Sequence, residues 1–256
     1  MNRIESRDNP LVRRLQRLGD SARECRKEGR TLLEGFHLVA AYEENLGSVE
    51  TLVVSDTGLN SPEIAAYAAK RQIVSMPDGL FRSLSTLENP SGLLALAAIP
   101  HAPGPPPLDE DCVLLDGVQD PGNVGTLIRT AVAAGFRHLV LSPGCAGAWL
   151  PKVLRAGQGA HFSAAVYEDA DLGNFLAGYR GRVAATCLSE SVSLWDAALE
   201  APLAWVFGAE GRGVGPALLE RACIRVRIPM AAGVESLNVG AAAAVCLFET
   251  QRRRSS

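Results

Sequence analysis

Between residues 112 and 251, short apolar runs alternate with stretches of helical periodicity, and this alternation restricts the fold more than any other feature of the chain. Strand-like runs stand at residues 112–117, 138–141, 163–167, 183–187, 203–207 and 224–228, and helical spacing marks 123–134, 150–157, 172–179 and 237–251. Strands that follow one another through helices pair in parallel, and a parallel sheet needs cover on both faces. The expected class is α/β, with a mostly parallel sheet and helices on both faces. The helix from Asn123 is well delimited. Asp120-Pro121-Gly122 supplies the turn, Asn123 a cap and Gly135 the exit.

Upstream, His101-Ala102-Pro103-Gly104-Pro105-Pro106-Pro107 cannot be helix or central strand, because proline lacks a donor and restricts its predecessor. It reads as a stiff linker over 101–108. Before it, helices are expected at 11–18, 30–45 and 63–71 and strands at 51–55, 73–76 and 92–99, a small α/β unit. The expected domains are therefore 1–100 and 109–256.

Two of the strand-like runs end in loops poor in bulky side chains. One loop is Gly208-Ala209-Glu210-Gly211-Arg212-Gly213; the other is Pro229-Met230-Ala231-Ala232-Gly233, leading into Ser236-Leu237-Asn238. Backbone groups left unpaired at such strand tips can hold a small ligand. The two loops are expected to wall one pocket past neighbouring strand tips. Gly211-x-Gly213-x-Gly215 does not have the spacing of a dinucleotide fingerprint, and Glu210 would repel a pyrophosphate. No Walker loop, HExxH or GxSxG occurs, which argues against nucleotide hydrolysis, zinc proteolysis and a typical serine hydrolase.

No window of about eighteen apolar residues suggests a membrane span. The opening MNRIESRDNP lacks an apolar core, so no secretory signal is expected. Cys25, Cys112, Cys145, Cys187, Cys223 and Cys246 form no CxxC pair and no zinc spacing with histidine. They read as reduced thiols of a cytoplasmic protein with no metal. The net charge of −3 hides an asymmetry: residues 1–30 hold eight arginines and Lys27 against five acids, which is +4, leaving −7 for the rest. A second basic cluster is Arg252-Arg253-Arg254. Clustered arginines suit phosphate, and Arg13, Arg14 and Arg17 are candidate RNA contacts; a solvated helix face is the other reading.

Phe207-Gly208-Ala209-Glu210-Gly211-Arg212-Gly213-Val214 and the stretch from Ile228 to Glu249 resemble the second and third motifs of the SpoU (TrmH-type) RNA ribose 2′-O-methyltransferases, of the SPOUT class. The first motif, an asparagine followed six residues later by an arginine, matches Asn123 and Arg129. Ser6-Arg7-Asp8-Asn9-Pro10, the run 33–39 and Leu87-Glu88-Asn89-Pro90-Ser91-Gly92 are similar to the substrate-binding domain that precedes many SpoU catalytic domains, itself like a ribosomal RNA-binding protein. The resemblance implies an S-adenosylmethionine-dependent RNA 2′-O-methyltransferase with a carboxyl-terminal trefoil knot. It also implies a homodimer in which Arg129 or the basic domain serves the partner's site. The character of the first domain favours 23S rRNA over tRNA as substrate. A non-catalytic RNA-binding protein that kept the fold is the alternative outside enzymology.

By that resemblance Gly208, Ile228 and Leu237 contact the cofactor, with Gly211 and Met230 completing the walls. From spacing alone Ile228 and Leu237 read equally as core. Arg129 would activate the ribose 2′-hydroxyl. A guanidinium titrates about or above pH 12 and makes a poor general base near neutrality, so clamping the adjacent phosphate and stabilising an alkoxide is the alternative. Asn123 and Glu210 would position Arg129 and substrate, an Arg–carboxylate fork locking the guanidinium plane. For Asn123 a helix cap is the competing role. Ser236 and Asn238 match the third motif's polar pair, with Ser236 also a candidate cap of the last helix. Lys152 and Arg155 lie in a further family-like stretch and join Arg7 as candidate RNA contacts. There Gly157 replaces the family's serine.

Overall fold

The structure, a computed structural model, describes residues 2–255. Its first elements are β1 (Asn2–Arg3), α1 (Pro10–Asp20), α2 (Ala22–Glu28), β2 (Arg30–Glu34), α3 (Phe36–Leu46), β3 (Thr51–Ser55), α4 (Asp56–Leu59), α5 (Pro62–Ala68), β4 (Ile73–Met76), α6 (Asp78–Arg82) and β5 (Leu93–Ala98). There follow β6 (Cys112–Asp116), α7 (Pro121–Ala133), β7 (His138–Leu141), α8 (Pro151–Gly157), β8 (Ala165–Tyr167), α9 (Leu172–Gly178) and β9 (Arg182–Thr186). The last are β10 (Val192–Ser193), β11 (Leu203–Gly208), α10 (Pro216–Arg221), β12 (Ile224–Arg227) and α11 (Val239–Arg254).

Two compact units divide the chain. The first runs to Pro100 and takes in Gly147–Phe162; the second holds His101–Ala146 and the described residues from Ser163 onward. Residues 147–162, expected in the second domain, thus belong to the first unit. The reason is contact: Thr31 Oγ1 donates to the Trp149 carbonyl, α8 packs on β2, and Phe162 meets Tyr42 edge-on at 5.3 Å.

In the first unit a five-stranded sheet has the order β1-β4-β3-β5-β2, with β5 antiparallel to both its neighbours. Asn9 caps α1 by accepting from Leu11 N, Pro10 needs no donor in the first turn, and Val12, Leu15 and Leu18 face the sheet. They share a core with Leu32, Val53, Met76, Phe81, Leu94 and Leu96. The helix expected over 30–45 is only half right, since its first part is strand β2. Gly29 at φ 62 ends α2 and Gly35 at φ 95 separates β2 from α3. The run Thr31–Glu34 is buried on both faces, a pattern in which strand and helix periods cannot be told apart. Pairing with β5 decides it.

The second unit is built on a seven-stranded sheet of order β10-β12-β9-β11-β6-β7-β8, every pair parallel. On one face Cys112, Leu114, Ala204 and Val206 pack with Phe175 and Leu176 of α9 and Leu218 of α10. On the opposite pleat Trp205 Nε1 donates to Thr250 Oγ1 of α11, which packs on α7. Both faces are covered. Two expected caps are corrected. Asp120, not Asn123, caps α7 by accepting from Asn123 N at 2.8 Å, with Pro121 in the first turn. Asn238, not Ser236, caps α11 by accepting from Gly240 N and Ala241 N. Strand β8 starts later than expected because Ala160–Ser163 winds as a 3₁₀ turn. Since all seven strands run the same way, Asp116, Thr186, Gly208 and Arg227 end together along one edge.

Candidate active site

Strand β11 is buried along its length and stops at Gly208, whose register partner is Asp116 at the tip of β6. A Cβ on Gly208 would overlap the backbone of Gly213 and Val214, so the loop folds back where only glycine fits. Gly213 N donates to the Ala209 carbonyl at 2.8 Å, closing the turn, and Gly211 and Gly213 take φ of 79° and 68°. The loop's exit is pinned as Gly215 N donates to Asp116 Oδ2 at 2.8 Å.

Beside this loop opens a cavity of about 670 Å³, within the range of small-molecule sites. All five expected cofactor residues, Gly208, Gly211, Ile228, Met230 and Leu237, line it, as do Glu210, Ser236 and Asn238. The expectation that its walls come from neighbouring strand tips needs correction. Strand β9 lies between β11 and β12, and Thr186, Cys187 and Leu188 at its end form a third wall. Sequence reasoning missed these three residues, because order along the chain does not give order in a sheet; Arg212, inside the loop expected as a wall, was given no role of its own. Leu237 is 39% and Leu188 67% exposed, which leaves apolar surface in the lining of the cleft. Backbone amides between apolar side chains suit an adenine ring. The residues fit adenosylmethionine. Among the described residues no cluster of histidine, cysteine or carboxylate side chains could hold a metal ion.

At the cavity's mouth the three motifs meet through side chains. Asn123 Nδ2 donates to Glu210 Oε1, and Asn238 Nδ2 donates to Asn123 Oδ1 at 2.9 Å. Asn238 Oδ1 in turn takes the free amides of α11. Glu210 thereby receives an amide, and the Arg129–Glu210 fork expected from sequence is not formed. Arg129 lies six residues beyond Asn123 on α7, about 9 Å along the axis and turned from it. It is exposed and has no hydrogen bond or ion pair among the described residues. Ser236 is exposed and is not the cap.

The SpoU rRNA Methylase family model matches residues 111–248, and a model of the MRM3-like substrate binding domain matches residues 9–95. Over 252 residues the chain is 32% identical to the 23S rRNA (guanosine(2553)-2'-O)-methyltransferase RlmP of Bacillus subtilis (strain 168), covering 97% of this chain and 98% of that one. The chain belongs to the SpoU rRNA methylase family. Among solved SpoU-like structures, an RNA 2'-O ribose methyltransferase superposes with a TM-score of 0.84 at 30% identity, covering 99% of this chain and all of the other. An AdoMet-bound rRNA methyltransferase from Sinorhizobium meliloti gives 0.82 at 27% identity, with 98% of each chain covered.

In this SpoU chain the expected RNA contacts are not equivalent. Arg13 pairs with Asp8, Arg14 Nε lies 2.6 Å from Glu28 Oε2, and Arg17 stands 3.9 Å from Glu24 and 4.0 Å from Glu28. The basic stripe of α1 is thus met by Asp8, just before the helix, and by Glu24 and Glu28 of α2. Arg155 donates to Thr86 Oγ1, which donates to buried Glu34. Arg7 and Lys152 are exposed without an ion pair among the described residues.

Proposed function

We propose that the chain transfers a methyl group from S-adenosylmethionine to a ribose 2′-hydroxyl of 23S rRNA. The observation that carries this is the relay Asn238–Asn123–Glu210, which joins three distant motifs at the mouth of a glycine-walled cavity. Its supports are family membership, the AdoMet-bound relative and the RlmP name of the relative matched along its whole length. Bound adenosylmethionine supplies an electrophilic methyl on a sulfonium. Backbone groups at Gly208 and Gly211 and the side chains of Ile228, Met230 and Leu237 hold it. The relay fixes Asn123 and Glu210 so that they shape the site without moving. Arg129, without a hydrogen bond or ion pair among the described residues, clamps the phosphate next to the target ribose and stabilises the ribose oxygen as its proton passes to solvent. Ser236 offers a hydroxyl to substrate.

Three further properties belong to the proposal. The chain after β12 forms a trefoil knot, supported by β12 following β11 yet lying beyond β9 before α11 returns to α7. A crystallographic chain trace tests that. Two chains associate, supported by Phe248, 45% exposed on α11 beside buried Cys246 and Leu247; sedimentation of Phe248→Glu as a monomer is the expected result. The protein works in the cytoplasm, with its cysteines reduced.

The central test is Arg129→Ala. Its exposed position predicts a melting temperature within about a degree or two of the parent, as for neutral surface substitutions. Methyl transfer to rRNA should fall on the order of a hundredfold or more, with adenosylmethionine affinity retained. Transfer at the parental rate would remove Arg129 from the mechanism, and failure of the parent protein to bind adenosylmethionine would leave an RNA-binding protein.

A further inference from the structure

The cleft is lined by two arginines, and their situations differ. Arg227 is spent on the Ser191 carbonyl. Arg212 is exposed and makes no hydrogen bond or ion pair among the described residues. Nearby acids do not pair with it either: Glu210 is bonded by Asn123, and Asp116 Oδ2 accepts from Gly215 N. The side chain is nevertheless placed. Its flanking glycines, Gly211 and Gly213, hold φ of 79° and 68° in the turn that Gly213 N closes on Ala209. The guanidinium reaches across to the tip of β6, where Nη2 stands 3.8 Å from the point a Cβ on Gly117 would occupy. A residue with a larger side chain at position 117 would crowd that end of the arginine.

We propose that Arg212 is an oxyanion-binding group of the cleft, a role that Gly208, Gly211, Ile228, Met230 and Leu237 do not fill. The inference rests on reading the cleft as an adenosylmethionine site. A planar five-donor fork without a partner among the described residues, on a turn closed by a backbone hydrogen bond, is suited to bidentate contact with a carboxylate or a phosphate. Two ligands of this site bring such a group. The methionyl carboxylate is the sole anion on a cofactor that otherwise carries a sulfonium and an ammonium. The RNA brings the phosphates that flank the target ribose. Arg129 on α7 and Arg212 on the glycine loop then approach the reacting nucleotide from different elements, and only the second lines the cavity itself.

The full-length protein with Arg212→Gln, which keeps length and polarity but removes charge, separates the sources. Calorimetry is run with S-adenosylmethionine, with 5′-methylthioadenosine, which lacks the amino-acid portion, and with a polyuridylate oligonucleotide at several salt concentrations. If the carboxylate is the partner, adenosylmethionine affinity falls about tenfold while methylthioadenosine binding is unchanged. If phosphate is the partner, oligonucleotide affinity falls and the salt slope drops by about 0.7. Arg212→Lys keeps the charge and should recover part of either loss. All three affinities at parental values overturn the proposal. So does weakened methylthioadenosine binding, because that ligand has no oxyanion and its loss would report a collapsed loop. Absence of adenosylmethionine binding by the parent protein defeats the cofactor reading itself, a result distinct from both.

Discussion

Gly208 is a matter of volume rather than backbone angle. It ends a strand in extended backbone, yet any Cβ would run into the peptide groups of Gly213 and Val214 that the turn brings back over it. Neither is the yielding end of a flexible side chain. Gly208→Ala should therefore push the loop off the β11 tip, costing on the order of 1–3 kcal/mol of stability, as overpacking does. Adenosylmethionine affinity should drop tenfold or more by calorimetry, since about 1.4 kcal/mol of lost complementarity suffices. An alanine variant binding the cofactor as the parent does would show that this loop is not the wall we take it for. At this scale the sequence was readable where chemistry is local, because a glycine cluster after an apolar run reports a tight turn by itself. It was unreadable where a partner lies far along the chain. Asn123 looks like a cap from its neighbours. Its actual partners, Glu210 and Asn238, are 87 and 115 residues away, and Glu210 takes this amide instead of the Arg129 fork expected of it.

Among elements, α11 shows how a terminal charge cluster can be misjudged. Arg252-Arg253-Arg254 reads as a basic tail, but Arg253 and Arg254 hold the helix down, while Arg252 pairs with Glu249 on the same helix. Arg253 donates to the carbonyls of Ala197, Leu194 and Trp195, and Arg254 forks onto Asp111, which also accepts from Leu203 N at 2.8 Å. The far end of the same helix carries Asn238. The Arg254–Asp111 pair is 27% and 29% exposed, so its loss strands a half-buried carboxylate near the start of β6. Arg254→Ala should cost roughly 1–3 kcal/mol in urea unfolding. Arg180→Ala, which removes an ion pair 71% exposed on the arginine side, should cost less than about 1 kcal/mol. Equal losses would mean the pair anchors nothing. Longer helices and most strands were legible because each spans a full period of its pattern. The two-residue strand β10 and the helices α4 and α10, of four and six residues, carry too little of their pattern to be read. β2 was misread because burial on both faces erases alternation. The place of β9 between β11 and β12 had no local signal at all.

At the scale of the whole chain, the break near the proline-rich segment was visible because proline removes donors, whereas the assignment of Gly147–Phe162 to the first unit depends on packing against β2. Charge shows the same division between what composition reports and what geometry decides. The excess of +4 over residues 1–30 suggests an RNA surface on α1. The structure instead meets Arg13, Arg14 and Arg17 with Asp8, Glu24 and Glu28. Salt dependence of RNA binding arises from counterions released when free cations meet phosphate. An arginine already facing a carboxylate must leave it first, and the freed acid then gathers cations of its own. Replacing Arg13, Arg14 and Arg17 together should accordingly change the slope of log affinity against log salt by less than the roughly 0.7 per contact that phosphate-neutralising cations give. Arg7 and Lys152, exposed and without ion pairs among the described residues, should each remove about that full amount when changed to alanine. Filter binding of an rRNA fragment across a salt series reads both sets. A steep loss from the α1 triple variant, with Arg7 and Lys152 silent, would return the RNA surface to the helix that composition alone suggests and would mean those ion pairs open on binding.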